Sequence, residues 1–203
     1  MTKIRAAASF LVTGLGAGAL GLAVLAAAHP SALHAEEAVQ GLTVSGGVRW
    51  GFGEEVLDYY TVSYVYDTVR VGSATVAPAA TGMALIPGMD SLILTGTERP
   101  DGGGANLHIV LDFDGSPVDG ETGAAEVLYY PDISGPPYWV SGAAGVSQPA
   151  LSFSRYEFDG EKGHVAGRFS AVLCAVSEWE GEPDGADCRE VEGAFETEIF
   201  LAL

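Results

Sequence analysis

Basic side chains are scarce in this chain, nine Lys and Arg against 27 Asp and Glu. All the acids follow residue 35, whereas Lys3 and Arg5 precede it, so residues 36–203 carry seven bases, 27 acids and a formal charge of −20. Such a surface repels phosphate backbones and anionic lipid, and nucleic acid is excluded as a partner.

Cysteine is almost absent. Cys174 and Cys188 are the whole supply, and no Cys/His spacing suits zinc, nor is there an H-E-x-x-H. Histidine is sparse too: His108 lies on the polar parity of a strand pattern and His164 opens another, each expected as a lone exposed side chain without the orienting group a nucleophile triad needs. No G-x-S-x-G elbow occurs. Gly102-Gly103-Gly104 precedes a strand pattern rather than a helix and lacks the lysine of a phosphate loop, so it reads as a hairpin connection. After Ala28 no apolar run is long enough to span a bilayer, so no membrane insertion is expected once the leader is removed.

The leader itself is conspicuous. Lys3 and Arg5 precede 23 uncharged residues, Ala6 to Ala28, dominated by Ala, Leu, Val and Gly, and the chain turns acidic at Glu36-Glu37. This is the pattern of a signal peptide, with cleavage expected after Ala28 or Ala35 and retention as an anchor as the alternative. Residues 1–35 are therefore read as signal and short leader, residues 36–203 as one domain, and the location as periplasmic or secreted.

The domain is written in period two. Tyr60, Val62, Tyr64 and Tyr66 alternate with Thr61, Ser63, Val65 and Asp67; Leu107, Ile109, Leu111 and Phe113 alternate with His108, Val110, Asp112 and Asp114. Strands are expected near Thr43–Trp50, over Val56–Val71 as a long strand or hairpin, at Met89–Thr97, Leu107–Phe113, Ala125–Tyr130, Tyr138–Val140 and Ala150–Phe158, with a short edge strand between Gly72 and Pro87. A helix is expected nowhere after residue 36 except over the few residues Glu36 to Gln40. The turn spacing predicts an antiparallel β-sandwich of eight to ten short strands, with a small β-barrel as the alternative.

The last forty residues carry the most information. Val165, Gly167, Phe169, Ala171 and Leu173 form one apolar face, and Val191, Gly193, Phe195, Thr197, Ile199 and Leu201 another. An antiparallel register that sets Cys174 across from Cys188 also sets Phe169 across from Gly193 and Gly167 across from Phe195, so each ring covers a residue without a side chain. Export favours a disulfide over two free buried thiols. Both cysteines take the polar parity, which places the bond on the outer face or at the turn end. A meander of the last three strands is expected.

From Asp90 onward the order of features, Leu92-Ile93-Leu94-Thr95-Gly96, Leu107 to Phe113, Gly167-Arg168-Phe169 and Gly193-Ala194-Phe195, resembles that of small exported or lipoprotein bacterial β-domains of unassigned function. The resemblance implies a β-domain of the cell envelope and brings no catalytic residues. It leaves out Val39–Val71, and the lipoprotein cysteine is missing at the signal junction.

Two clusters are candidate sites. Tyr129, Tyr130, Tyr138 and Trp139, around a Pro/Gly loop, are read as a ligand-binding aromatic patch. Asp112, Asp114, Asp119 and Glu121 form an oxygen-rich turn that suits weak calcium binding, although Gly115 stands where a third ligand of the usual calcium loop is due. A second acidic loop, Glu178, Glu180, Glu182, Asp184 and Asp187, is read as a solvated turn. The function expected is a non-enzymatic exported module, binding or structural, for a small ligand, glycan or envelope protein, with no cofactor beyond possible calcium. The alternatives are an exported hydrolase with paired carboxylates and a calcium-stabilised domain.

Overall fold

The computed structural model describes residues 42–66, 69–118 and 121–202. The signal peptide, its cleavage sites and the short helix considered at Glu36–Gln40 lie outside them. The described residues form eleven strands: β1 (Leu42–Phe52), β2 (Glu55–Tyr66), β3 (Val69–Gly72), β4 (Ala74–Ala77), β5 (Asp90–Thr97), β6 (Asn106–Asp114), β7 (Glu121–Tyr130), β8 (Tyr138–Val140), β9 (Ala150–Phe158), β10 (Lys162–Val176) and β11 (Asp184–Leu201). One 3-10 turn, Ala79–Thr81, interrupts the β pattern.

These strands make a β-sandwich. One layer runs β3-β2-β1-β11-β10-β9 and the other β4-β5-β6-β7-β8, every pairing antiparallel except β11 with β4. The count exceeds the expected eight to ten, and the closing strands are long, 15 and 18 residues. Their length has a structural use, because each crosses a corner between layers. The end of β10 pairs with β8 (Cys174 with Val140, Val176 with Tyr138), and the end of β11 pairs with β4 (Phe200 with Thr75, Leu201 with Val76). For that reason β4 is not the edge strand expected between Gly72 and Pro87: it is bonded to β5 on its other side.

The core between the layers is the apolar parity of most strands; in β2 the buried parity is Tyr59, Thr61 and Ser63, and Tyr60 and Tyr64 face outward. Trp50, Leu92, Leu94, Leu107, Ile109, Phe113, Val127, Val165, Leu173 and Ile199 are wholly buried, each contributing about 1.5–3 kcal/mol relative to exposure. At the closing strands the register is the expected one, Gly167 opposite Phe195, Phe169 opposite Gly193 and Cys174 opposite Cys188, and β9 completes the meander. A Cβ at Gly193 would stand 2.5 Å from Phe169 Cε1 and 2.7 Å from Trp50 Cβ, while one at Gly167 would stand 2.7 Å from Phe195 Cζ. At Gly193 the Phe169 ring and the Trp50 side chain occupy the space, and at Gly167 the Ser152 carbonyl oxygen stands closer still than the Phe195 ring.

The cysteines are bonded. Joining residues 14 apart restricts the unfolded chain by about 3 kcal/mol in the chain-entropy picture. The bond lies on the parity away from Leu173, as expected, yet Cys174 is fully buried and only Cys188 is half-exposed. The correction follows from the corner: where β10 leaves one layer for the other, β8 runs alongside Cys174 and shields it.

Candidate functional site

β7 and β8 are joined by the loop Pro131 to Pro137 and pair with Tyr129 opposite Trp139. Since neighbouring residues of a strand face opposite sides, this one pairing divides the expected four-residue aromatic patch into two pairs.

Tyr129 and Trp139 turn inward. Tyr129 is 8% exposed, with ring centroids 4.9 Å from both Trp50 and Phe52, and Trp139 lies 5.3 Å from Phe52. Tyr59 joins this cluster; burial, with its hydrogen bond to Tyr129, pushes its hydroxyl far above the usual tyrosine range. Arg189, at the inward parity of β11, lies over the edge of the cluster with its guanidinium 4.7 Å from the Phe52 ring and 5.6 Å from Trp139. Tyr129 belongs to the core, and Trp139 packs against it half-buried.

Tyr130 and Tyr138 turn outward and meet at 5.2 Å with 24° between ring planes. Trp179 continues the row, 6.0 Å from Tyr138 at 34°, and His108 closes its other end edge-on to Tyr130 at 5.7 Å. Trp179 stands in the turn between β10 and β11, flanked by Glu178 and by Glu180, whose φ of 60° is left-handed. With 61% of its surface exposed it is the open end of the row, and Ile133 in the β7–β8 loop is 59% exposed. Sequence reading passed over Trp179 because the segment was examined for its carboxylates. The available signal was a tryptophan in a segment with no apolar alternation to bury it.

Titratable groups border the row. Burial lowers the His108 imidazole pKa, and His108 is not the exposed side chain expected: its Nδ1 is 3.1 Å from Thr95 Oγ1. Burial also raises the carboxyl of Glu126, on the same face of β7, and raises Tyr130, with smaller contributions from Tyr138 and Glu126. Burial is the sole cause of the Glu126 shift. His164, likewise only half-exposed, lies 3.2 Å from Glu196 Oε1.

Of the four residues read as a calcium site, two have described side chains, Asp112 and Asp114. Asp112 is wholly buried, and its two carboxylate oxygens accept hydrogen bonds from Ser91 Oγ at 2.7 Å and from the Ile86 backbone N–H. It thereby ties the connection between β4 and β5 down onto β6. Asp114 is exposed at the end of β6. Asp119 and the Glu121 side chain lie outside the described residues. Among the described residues no three His, Cys, Asp or Glu side chains are grouped to hold a metal, and the exposed carboxylates of Glu178, Glu180, Glu182, Asp184 and Asp187 are no exception.

No family model matches the chain, and neither a curated protein nor a solved structure is similar to it.

Proposed function

We propose that this protein is an exported, non-enzymatic binding module that recognises a glycan or protein of the cell envelope through the outward aromatic row Tyr130, Tyr138 and Trp179. The observation that carries this reading is the row itself: a stacked tyrosine pair on a sandwich face, continued by a tilted tryptophan that gives up most of its surface to solvent. Aromatic side chains of this kind supply large contact area at low entropic cost, and Trp and Tyr dominate the energetics of recognition surfaces. Export is supported by the leader pattern at residues 3–28, by the acidity of the rest and by the disulfide. The resemblance to exported bacterial β-domains points the same way. Among the described residues no helix is long and apolar enough to cross a membrane.

The test is co-sedimentation of the mature protein with isolated cell-envelope fractions, compared with Trp179→Ala. Binding of the parent that is lost in the variant supports the reading; equal behaviour of the two removes it.

A further inference from the structure

A groove crosses the outward face of β1, β11, β10 and β9, on the other layer from the aromatic row. Its main chamber has a volume of about 840 Å³. A stretch of about 560 Å³ shares Arg49, Ser152, Arg168 and Ala194 with it, and a third of about 620 Å³ joins the second through Gly51, Ser170 and Glu192.

The pairing register states what faces this groove. Ala194 on β11 lies between Arg49 on β1 and Arg168 on β10. Two residues along, Glu196 lies between Gly47 and Ala166, and in the other direction Glu192 faces Ser170. The floor is thus low, built of Gly, Ala and Ser, and the charged side chains stand in rows about 7 Å apart, Glu192, then Arg49 and Arg168 with Asp58 of β2 beside Arg49, then Glu196 with Arg155 of β9 in its row, so that both signs are interspersed. Tyr60, 39% exposed, flanks the floor opposite Gly47. Arg168 is exposed and has no ion-pair partner among the described residues, and Arg49 reaches only Asp58, at 3.7 Å. In a domain with seven basic residues, two stand on either side of one alanine in this groove; Arg168 is open to a ligand, and Arg49 shares its charge with Asp58, which also lines the groove.

We infer that the groove binds a neutral, hydroxyl-rich glycan chain. Interspersion of sign decides the class. A polyanion gains from Arg49 and Arg168 and loses to Asp58, Glu192 and Glu196, and a polycation does the reverse. A hydroxyl group donates to the carboxylates and accepts from the guanidinium groups, so every row contributes. The small floor lets a chain lie close to the strands, and the Tyr60 ring offers an apolar surface to a sugar face. The inference rests on the exported-binding reading for its ligand class but places the glycan on a different face from Trp179.

Affinity electrophoresis of the mature protein through gels containing a neutral soluble β-glucan, a polyuronate or polylysine tests it. The expected result is retardation by the β-glucan, insensitive to added salt, weakened about tenfold or more in Arg168→Ala and in Glu196→Gln, and kept in Trp179→Ala. Far-UV circular dichroism of the variants, all changed at exposed positions, verifies folding. Salt-sensitive retardation by the polyuronate or polylysine alone overturns the inference, as does retardation by none of the three. Loss in Trp179→Ala with retention in Arg168→Ala also overturns it while leaving the aromatic-row reading standing; loss only in the groove variants, with envelope binding unaffected by Trp179→Ala, does the opposite.

Discussion

Tyr129 and Tyr130 are adjacent in the chain and lie on opposite sides of β7, the first 4.9 Å from Trp50 inside the sandwich, the second 5.2 Å from Tyr138 outside it. One residue of register separates a core aromatic from a surface one. Substitutions at the two positions should therefore separate stability from binding.

Tyr129→Ala should lower unfolding free energy by about 3–5 kcal/mol, as truncation of a packed aromatic does. Tyr130→Ala, on the half-exposed outer face, should cost markedly less. Urea titrations followed by far-UV circular dichroism would compare them, and equal losses would contradict the opposed orientations.

The crossed ring and glycine contacts predict a steric effect. Gly193→Val places a branched side chain where Phe169 and Trp50 already stand, and should destabilise by about 1–3 kcal/mol or more. Gly185→Ala, where a Cβ meets nothing within 4 Å, serves as the control and should stay close to the parent. Thermal unfolding of both variants reads the difference.

Fluorescence should resolve the tryptophans. Trp50 is 1% exposed and Trp179 61%, so acrylamide should quench a distinct accessible fraction that Trp179→Phe removes. A quenchable fraction surviving that substitution unchanged would place the exposed emitter elsewhere.

Two groups beside the aromatic row give stability opposite pH dependences. The folded pKa of His108 lies below its ordinary 6.5, so the unfolded chain takes up the proton first and stability is lost as pH falls below that value. The folded pKa of Glu126 lies above its ordinary 4.5, so its contribution is fully present below that value and is lost as pH rises through the folded pKa. His108→Asn should flatten the acid-side loss, and Glu126→Gln should flatten the decline on the rising side. Melting temperatures across pH 4 to 8 would show each slope, and an unchanged profile in either variant would remove that group from the account.

Asp112 should behave as an anchor. Asp112→Ala leaves the buried Ser91 hydroxyl and the part-buried Ile86 N–H without their acceptor, at about 1–3 kcal/mol. Limited proteolysis should then cut first between β4 and β5; unchanged cleavage kinetics would argue against the anchoring role.

Much of the fold was legible because burial imposes a period of two. The closing register was readable down to its pairs, since Cys174, Gly167 and Phe169 found matching partners in Cys188, Phe195 and Gly193 at a single alignment. The role of β4 was not, because four small residues, Ala74–Ala77, carry no mark of having neighbours on both sides. The candidate site was half legible. Of the four aromatics of the expected patch, Tyr130 and Tyr138 face outward while Tyr129 and Trp139 face the core, and Trp179 joined from a segment some forty residues farther along the chain.

Alternation, glycine placement and cysteine number were enough for a β-domain, its closing register and its disulfide, since each is a local or pairwise consequence of steric fit and burial. Which parity of β7 faced solvent, that Asp112 would spend its carboxylate on Ser91 and Ile86, and that Arg49 and Arg168 would flank one alanine were decided only when distant strands came together. A side chain's face depends on what the rest of the chain packs against it, and that information is spread across all eleven strands.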